Sequence, residues 1–204
     1  MASVDLRAFV RANLPDPPAR VLEVGAGAGR LAQALRAAGY EVVAIDPRSD
    51  NDDVRAVALA DLDEPAGSFA AAVAVVSLHH VDPLEESCRR LGEVVEPGGT
   101  LIVDEFDVGA FDRGAAAWWL EQRHALGEEQ SQTADELVAD HREHLHPLER
   151  ILVALDPYFE LGLPLRGAWL HRWNLGDSLR IVEDEAIARG RLRAVGTRLV
   201  GRRR

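Results

Sequence analysis

The stretch that decides the fold is Val21-Leu22-Glu23-Val24-Gly25-Ala26-Gly27-Ala28-Gly29-Arg30. A short apolar run that carries one acidic residue leads into three glycines that alternate with alanine. Glycine permits positive φ angles and lets a ligand approach the backbone without meeting a Cβ. Residues 31–38 are mostly strong helix formers, and Gly39 ends them. The pattern predicts a strand, a ligand-binding loop and a helix at the carboxyl edge of a sheet.

A second predicted strand covers 41–46 and ends on a carboxylate, Asp46, 21 positions after Gly25. A carboxylate at this place can accept hydrogen bonds from ribose hydroxyls. In a dinucleotide-binding loop the third glycine stands five positions after the first. Here Gly29 comes four positions after Gly25, and Arg30 occupies the fifth. The spacing therefore favours a nucleoside site of another kind.

Taken as a whole, Glu23-x-Gly25-x-Gly27-x-Gly29 resembles motif I of the class I S-adenosylmethionine-dependent methyltransferases. Two later stretches, Ser-Leu-His-His-Val-Asp at 77–82 and Glu-Pro-Gly-Gly-Thr-Leu at 96–101, resemble the small-molecule, type 11-like branch of that family. The resemblance covers roughly 20–105. It implies S-adenosyl-L-methionine as the cofactor and methyl transfer to a small-molecule acceptor, with an oxygen, nitrogen or carbon nucleophile left open.

Apolar runs predict five strands over 21–24, 41–46, 54–61, 68–77 and 101–105, followed by two more over 166–174 and 192–200. Alternation of strands with helices predicts a parallel sheet with right-handed crossovers. The resemblance implies a Rossmann-like, doubly wound α/β sheet of seven strands in the order 3-2-1-4-5-7-6, the last strand antiparallel.

The chain is expected to form one methyltransferase domain over 1–204 with four parts. These are an N-terminal helix and linker (1–19), a cofactor-binding core (20–105), a helical insertion that caps the substrate (106–164), and the closing strands (165–204). The helix is predicted over 4–13, with Ser3 as its cap.

The resemblance also implies which residues bind the cofactor. The glycine loop would contact its methionine and ribose parts, and Asp46 would bind both ribose hydroxyls. Asp61 would receive the adenine amino group, with Asp63 or Glu64 as alternatives. The full implied set is Glu23, Gly25, Ala26, Gly27, Asp46, Pro47, Asp61, Leu62, Ser77 and Leu78.

A general base would be sought among the histidines. His80 follows the fourth predicted strand at the mouth of the site and is the candidate catalytic residue, a scaffold role being the alternative. His141 and His144 share one helix face by their spacing. A solvated helix end is expected there, and no metal site. Aromatic and polar residues of the insertion are candidates for substrate binding, with core packing as the alternative: Trp118, His124 and Tyr158.

Composition excludes several other functions. The formal net charge of the 204 residues is −11, which disfavours a nucleic-acid partner because phosphate binding needs clustered basic residues. Cys88 is the single cysteine, so no internal disulfide can form. No apolar run approaches the roughly 18 residues of a membrane span, and residues 1–13 do not have the pattern of a signal peptide. A cytoplasmic protein without a membrane partner is expected, and its oligomeric state is open.

Two other functions compete with methyl transfer. One is a non-catalytic protein that binds S-adenosylmethionine or S-adenosylhomocysteine. The glycine loop predicts that the cofactor binds, but it does not predict that a methyl group is transferred. The other is an NAD-dependent oxidoreductase. Arg30 at the position of the third dinucleotide glycine disfavours it, and so does the lack of a Tyr-x-x-x-Lys pair in a chain that has no lysine.

Overall fold

The computed structural model describes residues 5–128 and 130–204. In these ranges the helices are α1 (Leu6–Asn13), α2 (Arg30–Ala37), α3 (Leu84–Val94), α4 (Arg113–Ala125), α5 (Ala134–His144), α6 (Leu148–Leu155) and α7 (Arg180–Ala188). The strands are β1 (Arg20–Val24), β2 (Glu41–Ile45), β3 (Phe69–Val75), β4 (Val95–Phe106), β5 (Phe159–Leu161), β6 (Leu165–Gly167) and β7 (Gly196–Arg203).

The strands form one sheet in the order β2-β1-β3-β4-β7-β5, and β6 also pairs with β7. Strands β1 to β4 are parallel, whereas β7 runs antiparallel to β4, β5 and β6. The sequence-based prediction of a Rossmann-like sheet of seven strands with an antiparallel last strand is therefore confirmed.

The third predicted strand, 54–61, is the main correction to the fold. Only Arg55 pairs with the sheet, through a single bridge to Ile45, and Leu59–Asp61 form a 3₁₀ turn. Alanine occupies every second position from 56 to 60 and has low strand propensity. The preceding side chain of Asn51 also accepts a hydrogen bond from the Asp53 N–H, a local turn that competes with strand pairing.

The last part of the chain also differs in detail from the prediction. The strand expected over 166–174 is reduced to β6, and Leu170–Arg172 form a 3₁₀ turn. The region expected to be a purely helical insertion contributes β5 to the sheet. Strand β7 begins four residues later than expected and continues to Arg203.

Buried side chains cover both faces of the sheet because successive strand residues point to opposite sides. On one face, α3 and α6 pack against Leu22, Ala72 and Leu101. On the other face, α1 and α2 pack against Val21, Val73 and Ile102. Cys88 of α3 is fully buried in the first of these clusters, and burial raises the pKa of its thiol to about 12.

A third apolar cluster joins the carboxyl end of β4 to α4, α5 and the segment before β7, through side chains that include Phe106, Phe111, Trp119, Trp169 and Val195. Helix α1 is capped by the Asp5 carboxylate, which accepts hydrogen bonds from the N–H groups of Arg7 and Ala8. The predicted cap, Ser3, and the predicted first helical residue, Val4, lie outside the described residues. None of the described helices combines the length and the apolarity needed to cross a lipid bilayer.

Candidate active site

The glycine loop after β1 has the backbone geometry that only glycine adopts easily. Its φ angles are 70°, 52° and 73° at Gly25, Gly27 and Gly29. A Cβ on Gly25 would lie 2.3 Å from the Cβ of Ser77, so the loop touches the chain that leaves β3. The N–H of Gly25 donates to the carbonyl of Ile45 at 2.9 Å, which fixes the loop to the end of β2. The loop therefore forms a rigid floor at the carboxyl edge of the sheet.

Asp46 lies at the end of β2 and is half-buried. Its Oδ2 accepts a hydrogen bond from the Gly27 N–H at 2.9 Å, and its Oδ1 accepts one from the Arg48 N–H at 2.9 Å. A carboxylate has about four lone-pair sites. Each oxygen can therefore accept a further bond, which is the requirement for holding two ribose hydroxyls.

Glu23 lies in β1, two residues before the loop, and is only 4% exposed. Burial raises the pKa of its carboxyl group to about 7, while the hydrogen bond from Ala32 and the charge of Arg36 act in the opposite direction. Its Oε2 is buried without a hydrogen-bond partner among the described residues. Buried polar atoms are nearly always paired in proteins, so this oxygen is a place where a ligand amino group or a water would be satisfied.

A first cavity of about 370 Å³ opens between the glycine loop, the end of β2 and the turn after β3. Four of the ten predicted cofactor residues line it: Gly25, Asp46, Pro47 and Ser77. The remaining walls are mostly apolar and include Ile45, Val57, Leu59 and Val81. Asp82 also lines the cavity. The Asp46 carboxylate beside apolar walls and a glycine floor fits a nucleoside, with the ribose on Asp46 and the base between aliphatic side chains.

The other six predicted cofactor residues do not line this cavity. Ala26 and Gly27 belong to the adjoining loop, while Glu23 and Leu78 are buried behind it. Asp61 is exposed and Leu62 is packed in the core. The structure therefore does not bring Asp61 or Leu62 to the cavity, because the chain curls into a 3₁₀ turn at Leu59–Asp61 and presents residues 57–59 instead.

A second cavity of about 330 Å³ adjoins the first and shares Val76 and His80 with it. Its walls come from the end of β4, from α5 and from the segment after β6, and they include Phe106, His141, His144, Trp169 and Trp173. The rings lie close together, with centroid distances of 4.6 Å between Phe106 and Trp169 and 4.8 Å between His141 and Trp173. The second cavity is therefore lined largely by aromatic and imidazole rings, and it lies next to the first cavity.

Val76 stands where the two cavities meet and has a φ of 52°. A β-branched residue in this left-handed region is a true outlier, and such strain concentrates at functional sites. The Val76 N–H donates to the carbonyl of Asp104 at 2.7 Å, so the strained residue is still tied to β4. The turn at Val76 directs the following N–H groups, those of Ser77 and Leu78, toward Glu105.

Glu105 is fully buried and organises the turn after β3. Its Oε1 accepts hydrogen bonds from the N–H groups of Ser77 at 2.9 Å and Leu78 at 2.6 Å. Its Oε2 lies 2.5 Å from Nδ1 of His79. The sequence suggested Glu105 only as the end of a strand, because its partners lie 26 to 28 positions away.

His80, the predicted catalytic residue, lines both cavities. Its ring centroid lies 4.3 Å from that of His79. Partial burial, followed by the positive charges of His79, Arg48, His141 and His146, lowers the pKa of His80 to about 4. His80 is therefore neutral at physiological pH and a weak base.

The predicted substrate-binding residues line neither cavity. Trp118 packs beside the third apolar cluster, and His124 is exposed on α4. Tyr158 lies against Gly92, beside the start of β5 at the opposite edge of the sheet. The sequence pattern indicated only the segment in which each side chain lies. It does not show which face of each helix is turned toward the cavities.

His141 and His144 of α5 line the second cavity, and His144, the last residue of the helix, is exposed to solvent there. In the sequence, the i, i+3 spacing of these two histidines indicates that they share one helix face. Within residues 5–128 and 130–204, no group of three or more His, Cys, Asp or Glu side chains is arranged to hold a metal ion.

The sheet order, the glycine loop and the carboxylate at the end of β2 define a class I S-adenosylmethionine-dependent methyltransferase. A family model described as a methyltransferase domain matches residues 2–143. The chain belongs to this enzyme family, and S-adenosylmethionine is the cofactor of its class.

Sequence relatives agree with this membership. The ubiquinone biosynthesis O-methyltransferase of Xanthomonas campestris pv. campestris is 36% identical over 111 residues, which cover 47% of this chain and 46% of that protein. An uncharacterized methyltransferase of Mycobacterium tuberculosis is 31% identical over 140 residues, covering 62% and 69%. The chain thus spans about half the length of the ubiquinone-pathway proteins that it matches.

Solved structures share the fold along nearly the whole chain. An S-adenosylmethionine-dependent methyltransferase of Methanosarcina mazei superposes with a TM-score of 0.64 at 19% identity, over 98% of each chain. The [4+2]-cyclase SpnF superposes with a TM-score of 0.61 at 17% identity, over 97% of this chain and 80% of that one. These likenesses concern the fold alone, and the second shows that this fold also hosts a protein named for another reaction.

Proposed function

We propose that the chain transfers a methyl group from S-adenosylmethionine to a hydroxyl oxygen of a small aromatic acceptor. The observation that carries the proposal is the pair of adjoining cavities. One has the glycine floor and the Asp46 carboxylate of a nucleoside site, and the other has aromatic walls. Val76 and His80 belong to both, so ligands in the two cavities meet there.

The second cavity supports an acceptor of modest size. About 330 Å³ is near the lower limit for small-molecule pockets. Phe106, Trp169 and Trp173 present faces and edges on which a planar ring packs favourably. The relatives named as ubiquinone biosynthesis O-methyltransferases support oxygen as the nucleophilic atom.

In methyl transfer the cofactor supplies an electrophilic methyl group on a sulfonium. The residues of the chain contribute position and exclusion of water. The glycine loop and Asp46 hold the nucleoside, and Glu105 fixes the turn of Ser77 and Leu78 by two backbone hydrogen bonds. The aromatic walls orient the acceptor ring toward the junction at Val76.

Two measurements test the proposal. Calorimetric titration with S-adenosylhomocysteine is expected to give micromolar binding, and titration with NAD is expected to give none. Methyl transfer is then measured from radiolabelled S-adenosylmethionine to a panel of phenols, carboxylic acids, amines and activated carbon acids, with phenols expected to react fastest. Binding of S-adenosylhomocysteine without transfer to any member of the panel would instead support the non-catalytic binding protein.

A further inference from the structure

His79 and Glu105 form a buried pair beside the second cavity, and Glu105 also holds the turn that borders the first cavity. His79 is 3% exposed and Glu105 is not exposed at all. The 2.5 Å contact joins His79 Nδ1 to Glu105 Oε2. Among the described residues Nε2 of His79 has no hydrogen-bond partner, and His79 lines the second cavity. A carboxylate on one ring nitrogen fixes the tautomer and leaves the other nitrogen ready to accept a proton.

We propose that His79 is the general base that deprotonates the acceptor hydroxyl, and that Glu105 is the residue that positions it. This inference rests on the proposed function. In the balanced step, His79 Nε2 takes the hydroxyl proton and the acceptor oxygen bonds to the methyl carbon. The electron pair of the broken carbon–sulfur bond stays on sulfur, and His79 returns its proton to water after the product leaves.

The contrast with His80 assigns the role to His79. His80 carries no carboxylate partner among the described residues, and its pKa of about 4 makes it a poor acceptor for a phenolic proton. Glu105, in comparison, stabilises the imidazolium that forms on His79 when the proton arrives. The other ionisable groups that line the second cavity are His80, Asp140, His141 and His144, and Arg48 and His146 act electrostatically on His80.

The first test measures directly whether a bound phenol has lost its proton, and it does not need turnover. 4-Nitrophenol, which absorbs differently as phenol and phenolate, is bound to the full chain with S-adenosylhomocysteine, at a pH below the pKa of the free phenol. We expect the bound probe to be ionised in the wild type and in H124Q, and to be protonated in H79Q. In E105Q, whose amide oxygen still accepts backbone hydrogen bonds, ionisation is expected to be partial.

The second test uses turnover of an accepted phenol. General-base catalysis contributes on the order of 10²- to 10⁴-fold. We therefore expect kcat to fall at least 100-fold in H79Q and about tenfold in E105Q, with acceptor KM changed less than about threefold. H124Q, which removes an exposed histidine of α4, is the matched control.

The outcomes separate this inference from the proposed function. If the bound probe stays protonated in the wild type, or ionises equally in H79Q, His79 is not the base, although binding and methyl transfer stand. If S-adenosylhomocysteine binds but no phenol does, the aromatic acceptor and the base are both wrong. If S-adenosylhomocysteine itself does not bind, the proposed function fails first. Should H79Q not fold, the wild-type probe titration and E105Q still decide the question.

Discussion

The two cavities are built in different ways. The first cavity is lined entirely by residues from 24 to 87, among them Gly25 of the glycine loop and Asp46 at the end of β2. The second draws on residues from 76 to 173, which belong to the turn after β3, the end of β4, helix α5 and an irregular segment after β6. The nucleoside site is therefore encoded in short local stretches, whereas the aromatic site exists only after the chain has folded. This difference explains why one site is visible in the sequence and the other is not.

The G25A variant is the strongest test of whether the first cavity depends on its local glycine loop. A left-handed φ costs a non-glycine residue about 1 to 2 kcal/mol, and overpacking costs about 1 to 3 kcal/mol more. The new Cβ would meet the Cβ of Ser77 at 2.3 Å. We expect a loss of about 2 to 5 kcal/mol in the free energy of unfolding, measured in urea by circular dichroism.

G27A is the matched control, because its φ is also positive but nothing lies within 4 Å of the new Cβ. It should lose only about 1 to 2 kcal/mol. Combining G25A with S77G should recover the part due to the clash. Equal losses in G25A and G27A would show that contact with the turn after β3 is not what requires glycine at Gly25.

Glu23 gives a pH-dependent test of the same region. Its folded-state pKa of about 7 lies above the ordinary value of 4.5 because of burial. The folded state therefore holds the proton more tightly than the unfolded state does. The stability that this carboxyl group contributes is complete below about pH 4.5 and is lost as the pH rises through 7, by about 3 kcal/mol in total.

The measurement compares E23Q with the wild type in urea between pH 5 and pH 8. The variant should gain about 2.5 kcal/mol relative to the wild type across that range, since glutamine does not ionise and a small part of the loss has already occurred at pH 5. E121Q changes an exposed glutamate of α4 and should show no such gain. A pH-independent difference for E23Q would mean that Glu23 is ionised in the folded protein throughout.

Asp46 tests whether the first cavity binds a ribose. Two hydrogen bonds to a carboxylate are together worth about 3 kcal/mol, which is on the order of 100-fold in affinity. D46A should weaken S-adenosylhomocysteine binding by that factor in a calorimetric titration. D52A, which removes an exposed carboxylate from the nearby turn, is expected to bind as the wild type does. Equal affinities for D46A and the wild type would show that the ligand lies elsewhere.

The fold was largely predictable because its determinants are local. Strands β1 to β4 are buried apolar runs, and β1 and β2 stand on either side of a helix with clear start and stop signals. The segment 54–61 was assigned wrongly because its apolar residues suit a strand, while its alanines and the preceding turn oppose pairing. Strand propensity predicts pairing least well at the edge of a sheet, where a strand has only one neighbouring strand to pair with.

The acceptor site was less predictable for a physical reason. Trp169 and Trp173 flank a 3₁₀ turn where a strand was expected, so no periodicity indicated their direction. His141 and His144 were recognised as sharing a face, but the sequence does not say what that face meets. The pair of His79 and Glu105 joins the ends of two strands 26 positions apart. Such contacts depend on strand order and register, which follow from the whole fold.

The smallest expected effects come from residues that the sequence assigned to the substrate and the structure places elsewhere. Tyr158 contacts Gly92 through its ring, and its backbone carbonyl accepts hydrogen bonds from Arg203 and Arg204. Y158F keeps all of these contacts, and H124A alters only an exposed position. Each should change the free energy of unfolding by less than about 0.5 kcal/mol. Acceptor KM and affinity for S-adenosylhomocysteine should stay at wild-type values in both, because neither side chain lines the first or the second cavity. A tenfold rise in acceptor KM for either variant would instead move the acceptor out of the aromatic cavity and toward α4 or the far edge of the sheet.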